Sequence, residues 1–225
     1  YILKYSYFYS KKFIVSPDVL IPRWETEVLV EIVYENIRDK NRCFIDFGTG
    51  SGIIAETLIE KNDTWKAVAV DISFPALKIA KQNCSKKIEL VCSDRLRSLK
   101  RGQFFDFIVS NPPYISQPEM ELLDKSVTGF EPLKALYGGV EGLDFYTYLA
   151  KNAAYYLKKK GILVPMYPVN QKISGLTNED HLKAIKRWCK LGMNKNIVYY
   201  LLLLLNLFLK QFLRFLILFA LILLN

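Results

Sequence analysis

Two hydrophobic periods succeed one another at the start of the chain. In YSYFYSKKFIV (5–15), aromatic and β-branched residues form two short runs around a polar Ser10-Lys11-Lys12 break, the pattern of a β-hairpin. From 25 to 38, Val28, Leu29, Ile32, Val33 and Ile37 fall on one helical face, with Glu25 and Glu27 in the first turn, where the helix dipole favours anions. Short apolar runs then alternate with helical stretches: strands over 43–47, 67–70, 88–92, 104–109 and 161–166, and helices over 53–60, 73–83 and 144–157. Ser73 is placed to cap its helix, with Pro75 in the first turn, where a missing N–H costs little. Nearly unbroken apolar strands alternating with helices predict a parallel sheet covered on both faces. The expected fold is therefore α/β, a doubly wound, mainly parallel, Rossmann-like sheet over 25–166, preceded by a hairpin and linker over 1–24. After Met166 this order stops, leaving an atypical basic, leucine-rich tail over 167–225.

Composition changes the picture at two points. A chain of 225 residues with 51% hydrophobic and 24% charged side chains can bury one sizeable core and is not disordered. The formal charge of +9 suggests a polyanion partner until it is located: residues 1–150 carry 19 Lys+Arg against 20 Asp+Glu, and the basic excess lies in the tail. Direct nucleic-acid binding by the main domain is not expected. Cys43, Cys84, Cys92 and Cys189 form no CxxC pair, which fits reduced thiols in the cytoplasm, and the single histidine, His181, lies in a polar stretch away from every motif, so zinc or histidine general-base chemistry is not provided for.

Candidate chemistry gathers at the strand ends. Asp46-Phe47-Gly48-Thr49-Gly50-Ser51-Gly52 closes the first sheet strand and opens a helix, so glycines let a ligand approach the main chain and helix-start N–H groups face it. Asp71 closes the next strand, the position from which a carboxylate accepts ribose hydroxyls, and Asp94 follows the third, within reach of an adenine amine. The spacing DxGxGxG, rather than GxGxxG, points to S-adenosylmethionine instead of a nicotinamide dinucleotide.

Ser110-Asn111-Pro112-Pro113-Tyr114-Ile115 leaves the fourth sheet strand, expected next to the first, at the crevice where strand order reverses. The two prolines lack N–H groups and hold Asn111 extended. The lip is thus rich in acceptors, with the Asn111 side-chain oxygen, nearby main-chain carbonyls and the Tyr114 ring as a wall. Such a site suits a planar NH2 group whose nitrogen is aimed at a methyl donor, and positioning supplies most of the rate.

The segments YSYFYSKKFIVSPDVLIPRWETEVLV, IDFGTGSGIIA, VAVDIS, FDFIVSNPPYIS and FEPLKALYGGVEGLDFY resemble the HemK/PrmC family, the protein-glutamine N-methyltransferases that modify peptide chain release factors in their GGQ loop. The resemblance covers roughly residues 1–166. It implies a class I methyltransferase fold and S-adenosyl-L-methionine as cofactor, cradled in its methionine part by Asp46, Gly48, Thr49, Gly50 and Gly52, with Asp71 at the ribose and Asp94 at the adenine. It further implies that Asn111 and Pro112 receive the substrate amide beside the cofactor, that Pro113 and Tyr114 pack against it, and that Arg23, Glu25 and Thr26 lie over the entrance. Trp24 stands where the family's PRPETE segment has proline, and against the resemblance the chain is expected to lack the family's amino-terminal helical domain and to carry Met166-Tyr167-Pro168-Val169-Asn170 in place of its E-x-G segment and final hairpin.

Residues 197–224 exceed the length that spans a bilayer, with Asn206, Lys210 and Arg214 forming one polar stripe. The alternatives for this tail are a span, an interfacial helix that touches membrane or one packed over the exposed sheet edge, and the product of a reading-frame change. The expected function is methyl transfer from S-adenosylmethionine to a glutamine amide of a release factor, by a cytoplasmic monomer. The alternatives are an adenine-N6 methyltransferase acting on DNA or RNA and an inactive, truncated remnant.

Overall fold

A computed structural model describes residues 1–166; the tail over 167–225, with His181, Cys189 and the Asn206, Lys210, Arg214 stripe, lies outside the described residues. The chain begins with an antiparallel hairpin, β1 (Tyr5–Phe8) and β2 (Lys11–Ile14), in which Tyr5 pairs with Ile14 and Phe8 with Lys11. Helix α1 (Trp24–Asn36) follows, and then the alternating unit: β3 (Cys43–Phe47), α2 (Ile53–Lys61), β4 (Lys66–Asp71), α3 (Phe74–Asn83), β5 (Ile88–Cys92) and β6 (Phe105–Ser110). Two short helices, α4 (Gln117–Leu122) and α5 (Lys125–Thr128), precede α6 (Asp144–Asn152) and β7 (Leu157–Pro165).

The sheet has five parallel strands in the order β5-β4-β3-β6-β7. Strand order reverses between β3 and β6, whose Asp46 and Val109 are register partners, so their carboxyl ends open a crevice there. One face of the sheet packs against α1 and α2 through Phe44, Phe107, Val109, Leu29, Val30, Val33, Ile54 and Leu58. The Phe44 and Phe107 rings stack at 4.6 Å, and Trp65 meets Phe107 edge-on at 5.3 Å. On the opposite face Phe47 meets Phe145 and Tyr148 of α6. The hairpin shares the first of these cores, because Phe8 and Phe13 are buried in it.

Helix caps follow local chemistry. Ser73 accepts from the Ala76 N–H at 3.2 Å, as its position predicts, and Ser116 with Glu119 forms a reciprocal capping box at α4. At the far end of the sheet Asp106, buried, accepts from the Cys43 N–H at 2.9 Å, Arg42 at 2.7 Å and Lys158 at 2.8 Å. Burial raises the pKa of this carboxyl, but those donors outweigh it and the net displacement is downward.

One predicted boundary is wrong. The helix expected over 144–157 ends at Asn152, a 3-10 turn covers Ala153–Tyr155, and Leu157 already belongs to β7. The carbonyls of Tyr155 and Tyr156 are taken by N–H groups of Gly102, Phe104 and Phe105, so tertiary bonds end the helix where its apolar pattern continues. The strand expected over 161–166 accordingly runs from Leu157 to Pro165, with a register shift opposite Phe105 and Phe107.

Candidate active site

A cavity of about 360 Å³ opens at the carboxyl ends of β3, β4, β5 and β6. Its wall includes Gly48, Gly50, Asp71, Asp94, Arg23 and Asn111. The segment after β3 is held over it by main-chain bonds from Gly48 and Thr49 to the Val70 carbonyl, at 2.8 and 3.0 Å. Asp71 completes the hold: Oδ2 accepts from the Gly50 N–H and Oδ1 from the Ser73 N–H, each at 2.8 Å. Burial raises the Asp71 pKa, against those same N–H bonds, which favour the ionised form. Asp94 is exposed, lines the opposite end and pairs with Arg97 at 2.8 Å.

The remaining residues of the glycine segment do different work. Asp46 is fully buried beneath the loop, where Oδ2 accepts from Thr49 Oγ1 at 2.6 Å and from the Ala55 N–H at 3.2 Å. Its Oδ1 has no partner among the described residues. Burial lifts its pKa from the ordinary 3.8 to about 7. A carboxyl with a raised native pKa holds its proton more tightly folded than unfolded, so its contribution to stability is greatest in acid and is lost as pH climbs from 3.8 through about 7. Asp46→Asn mimics the protonated form. The melting temperature of this variant relative to wild type is expected to rise between about pH 5 and about pH 8, and a pH-independent difference would contradict the assignment.

Gly52 caps α2 with φ +81°, and a Cβ there would overlap Cys84 Sγ and lie 3.3 Å from the Ala80 Cβ of α3. It sets the close approach of two helices rather than the cavity wall. Gly52→Ala is expected to destabilise the fold by about 3 kcal/mol, from left-handed strain and overpacking together, read as a lower urea midpoint. By contrast, a Cβ on Gly48 or Gly50 would meet nothing within 4 Å, because both face open space on the cavity wall.

Across the crevice, Ser110 is buried and donates to the Phe47 carbonyl at 2.7 Å, tying the ends of β6 and β3 together. Asn111 follows and lines the cavity, with its Nδ2 donating to Thr26 Oγ1 at 3.1 Å. Pro112 is buried, Pro113 lines the wall, and Tyr114 is half-buried against the core. Burial, then the Glu25 carboxylate, raise the Tyr114 phenol pKa; neither Tyr114 nor Glu25 is among the residues on the cavity wall.

The YGGVEG segment clamps this lip. Ile115 donates to the Leu136 carbonyl and Gly138 to the Ile115 carbonyl, at 3.0 and 2.9 Å. A Cβ on Gly138 would stand 2.7 Å from the Pro113 carbonyl oxygen, and one on Gly142, which has φ +71°, would overlap the Tyr114 carbonyl oxygen. Only a residue without a side chain fits Gly142.

Sequence reasoning assigned no role to Glu131, which is buried and pairs with Arg23 at 2.5 Å. It also passed over Ser110 and Phe145, the latter on the cavity wall. The signal for Glu131 was its place in FEPLKAL, one of the segments that carry the family resemblance.

Residues 24–127 match the model of the methyltransferase small domain. A release factor glutamine methyltransferase of Koribacter versatilis is 43% identical over 165 residues, which is 72% of this chain and 59% of the relative. That of Bacillus subtilis is 39% identical over 195 residues, 83% of this chain and 67% of the relative. The solved hMettl16 catalytic domain is 20% identical and covers 60% of this chain and 53% of its own, with a TM-score of 0.49. The chain spans 59% and 63% of the length of two of the curated relatives it matches. With this identity to the Bacillus protein across two thirds of its length, the chain belongs to the release factor glutamine methyltransferase family, the HemK/PrmC family that its motifs resemble.

Proposed function

We propose that the chain transfers a methyl group from S-adenosylmethionine to the side-chain amide nitrogen of a glutamine in a peptide chain release factor. The observation that carries this is Asn111, which lines the same cavity as Gly50 and Asp71 and has its Nδ2 tied to Thr26, so that Oδ1 is left as the acceptor. The donor fits the residues present. Asp71 would hold the ribose, Gly48 and Gly50 leave main chain and open space for the methionine part, Asp94 would meet the adenine edge, and the loop is fixed from below by Asp46, which accepts from Thr49. Bound there, S-adenosylmethionine supplies a sulfonium-activated methyl group.

The lip supplies orientation. Asn111 Oδ1 and the Pro112 carbonyl take the two hydrogens of the incoming carboxamide, which points its nitrogen into the cavity. Neither proline can donate, so the lip prefers an NH2 group to a carbonyl oxygen. Pro113 walls the acceptor, with Tyr114 packed behind it against the core, and Arg23 stands at the entrance. An amide nitrogen is a weak nucleophile, and alignment in a near-attack geometry can lower such a barrier by about 7–11 kcal/mol. A base is not required before transfer, because the nitrogen becomes acidic once methylated.

A labelled-methyl assay with release factor, bare duplex DNA and bare RNA as competing acceptors tests this. Label on a release-factor glutamine is expected. Label on adenine overturns the acceptor, and no label on any of them overturns the activity.

A further inference from the structure

We infer that Thr26 is a positioning residue for Asn111: its buried hydroxyl fixes which end of the Asn111 carboxamide faces the cavity. The inference rests on the function proposed above and assigns a new role within it. An asparagine amide has a donor at one end and an acceptor at the other in nearly the same shape, so an unrestrained Asn111 would present either. If NH2 faced the crevice, two donors would oppose each other when a glutamine amide entered.

Thr26 lies in the first turn of α1 and is only 2% exposed, yet it borders the cavity. Its Oγ1 accepts from Asn111 Nδ2 at 3.1 Å across 85 positions of sequence. Both partners stand on firm supports. Leu29, Val30 and Val33 bury the next turns of α1 in the main core, and the Thr26 N–H donates to the Arg23 carbonyl at 3.1 Å. Asn111 is held between buried Ser110 and the two prolines. Threonine is the residue type the position asks for: valine has the same shape without the acceptor, and serine keeps the acceptor without the methyl.

The test compares Thr26→Val and Thr26→Ser with wild type in methyl transfer, in donor affinity by calorimetry, and in the side-chain amide signals of Asn111 by NMR. Thr26→Val is expected to lower kcat by about 10- to 100-fold, the loss of one buried hydrogen bond with its orientation. Donor affinity should stay within about threefold, because the hydroxyl bonds to Asn111 and not to the nucleoside wall. Thr26→Ser should recover most of the rate.

In wild type the Asn111 Nδ2 protons should exchange more slowly than those of exposed Asn41, and Thr26→Val should abolish the difference. Fast exchange of the Asn111 amide in wild type overturns the inference whatever the variants do. An unchanged kcat in Thr26→Val, a loss that serine does not restore, or an equal loss of donor affinity also overturns it. Absence of glutamine methylation by the wild-type chain refutes the proposed function instead, and the amide signals then decide Thr26 alone.

Discussion

Asn111→Ala is expected to lower methyl transfer by about 10³-fold, because it removes the oriented acceptor from the transition state and leaves the rest of the lip standing. Donor affinity should change by less than about tenfold, since Asp71 and the glycine segment are held by bonds that do not involve Asn111. Loss of rate with donor binding retained is therefore the signature. A variant that binds donor normally and still transfers within about tenfold of the wild-type rate contradicts the assignment of Asn111 as the acceptor-orienting group. The melting temperature is a useful control: the Asn111 side chain is only partly buried, so the stability cost of its truncation should be chiefly that of the lost bond to buried Thr26, about 1–3 kcal/mol.

Asp71→Ala should fail in the opposite sense. It deletes the carboxylate that takes the Gly50 and Ser73 N–H groups, so both the ribose acceptor and the clasp on the glycine segment are lost. A charged hydrogen bond is worth about 1.5–3 kcal/mol, and the donor dissociation constant by calorimetry is expected to rise by about 100-fold or more. Saturating donor should restore part of the rate in Asp71→Ala and none of it in Asn111→Ala. Unchanged donor affinity in Asp71→Ala would remove this residue from the nucleoside site.

The parts of the fold written in local chemistry were legible in the sequence. The short apolar runs over 43–47, 67–70 and 104–109, each bounded by turn residues and followed by a helical stretch, predicted the strands that the structure has as β3, β4 and β6, and Ser73 caps α3 as its position before Pro75 predicts. The strand carrying SNPPYI was expected beside the first sheet strand, and β6 pairs with β3. What escaped depends on partners distant in sequence. The apolar pattern through Leu157 suggests helix, but the N–H groups of Gly102, Phe104 and Phe105 claim the carbonyls of Tyr155 and Tyr156. Glu131 has no periodic signal of its own and gains its partner Arg23 only when the α5 region folds against the start of α1. Gly52 was grouped with the glycines around the donor, whereas its missing side chain admits Cys84 and Ala80 of the neighbouring helix region. The helices α4 and α5, of six and four residues, are too short to imprint a period at all.

The YGGVEG clamp bears on the thermodynamics of acceptor capture. Main-chain bonds to Ile115 and the tight approach of Gly138 and Gly142 to residues 113–115 mean that the receiving edge is ordered when the domain folds, before any acceptor arrives. The entropy lost on association then comes chiefly from the peptide bearing the glutamine, and short glutamine peptides should bind weakly while a polypeptide that already presents its glutamine in a fixed loop binds well. Selectivity between acceptors would thus be decided by the stiffness of the incoming loop as much as by the chemistry of the group it carries.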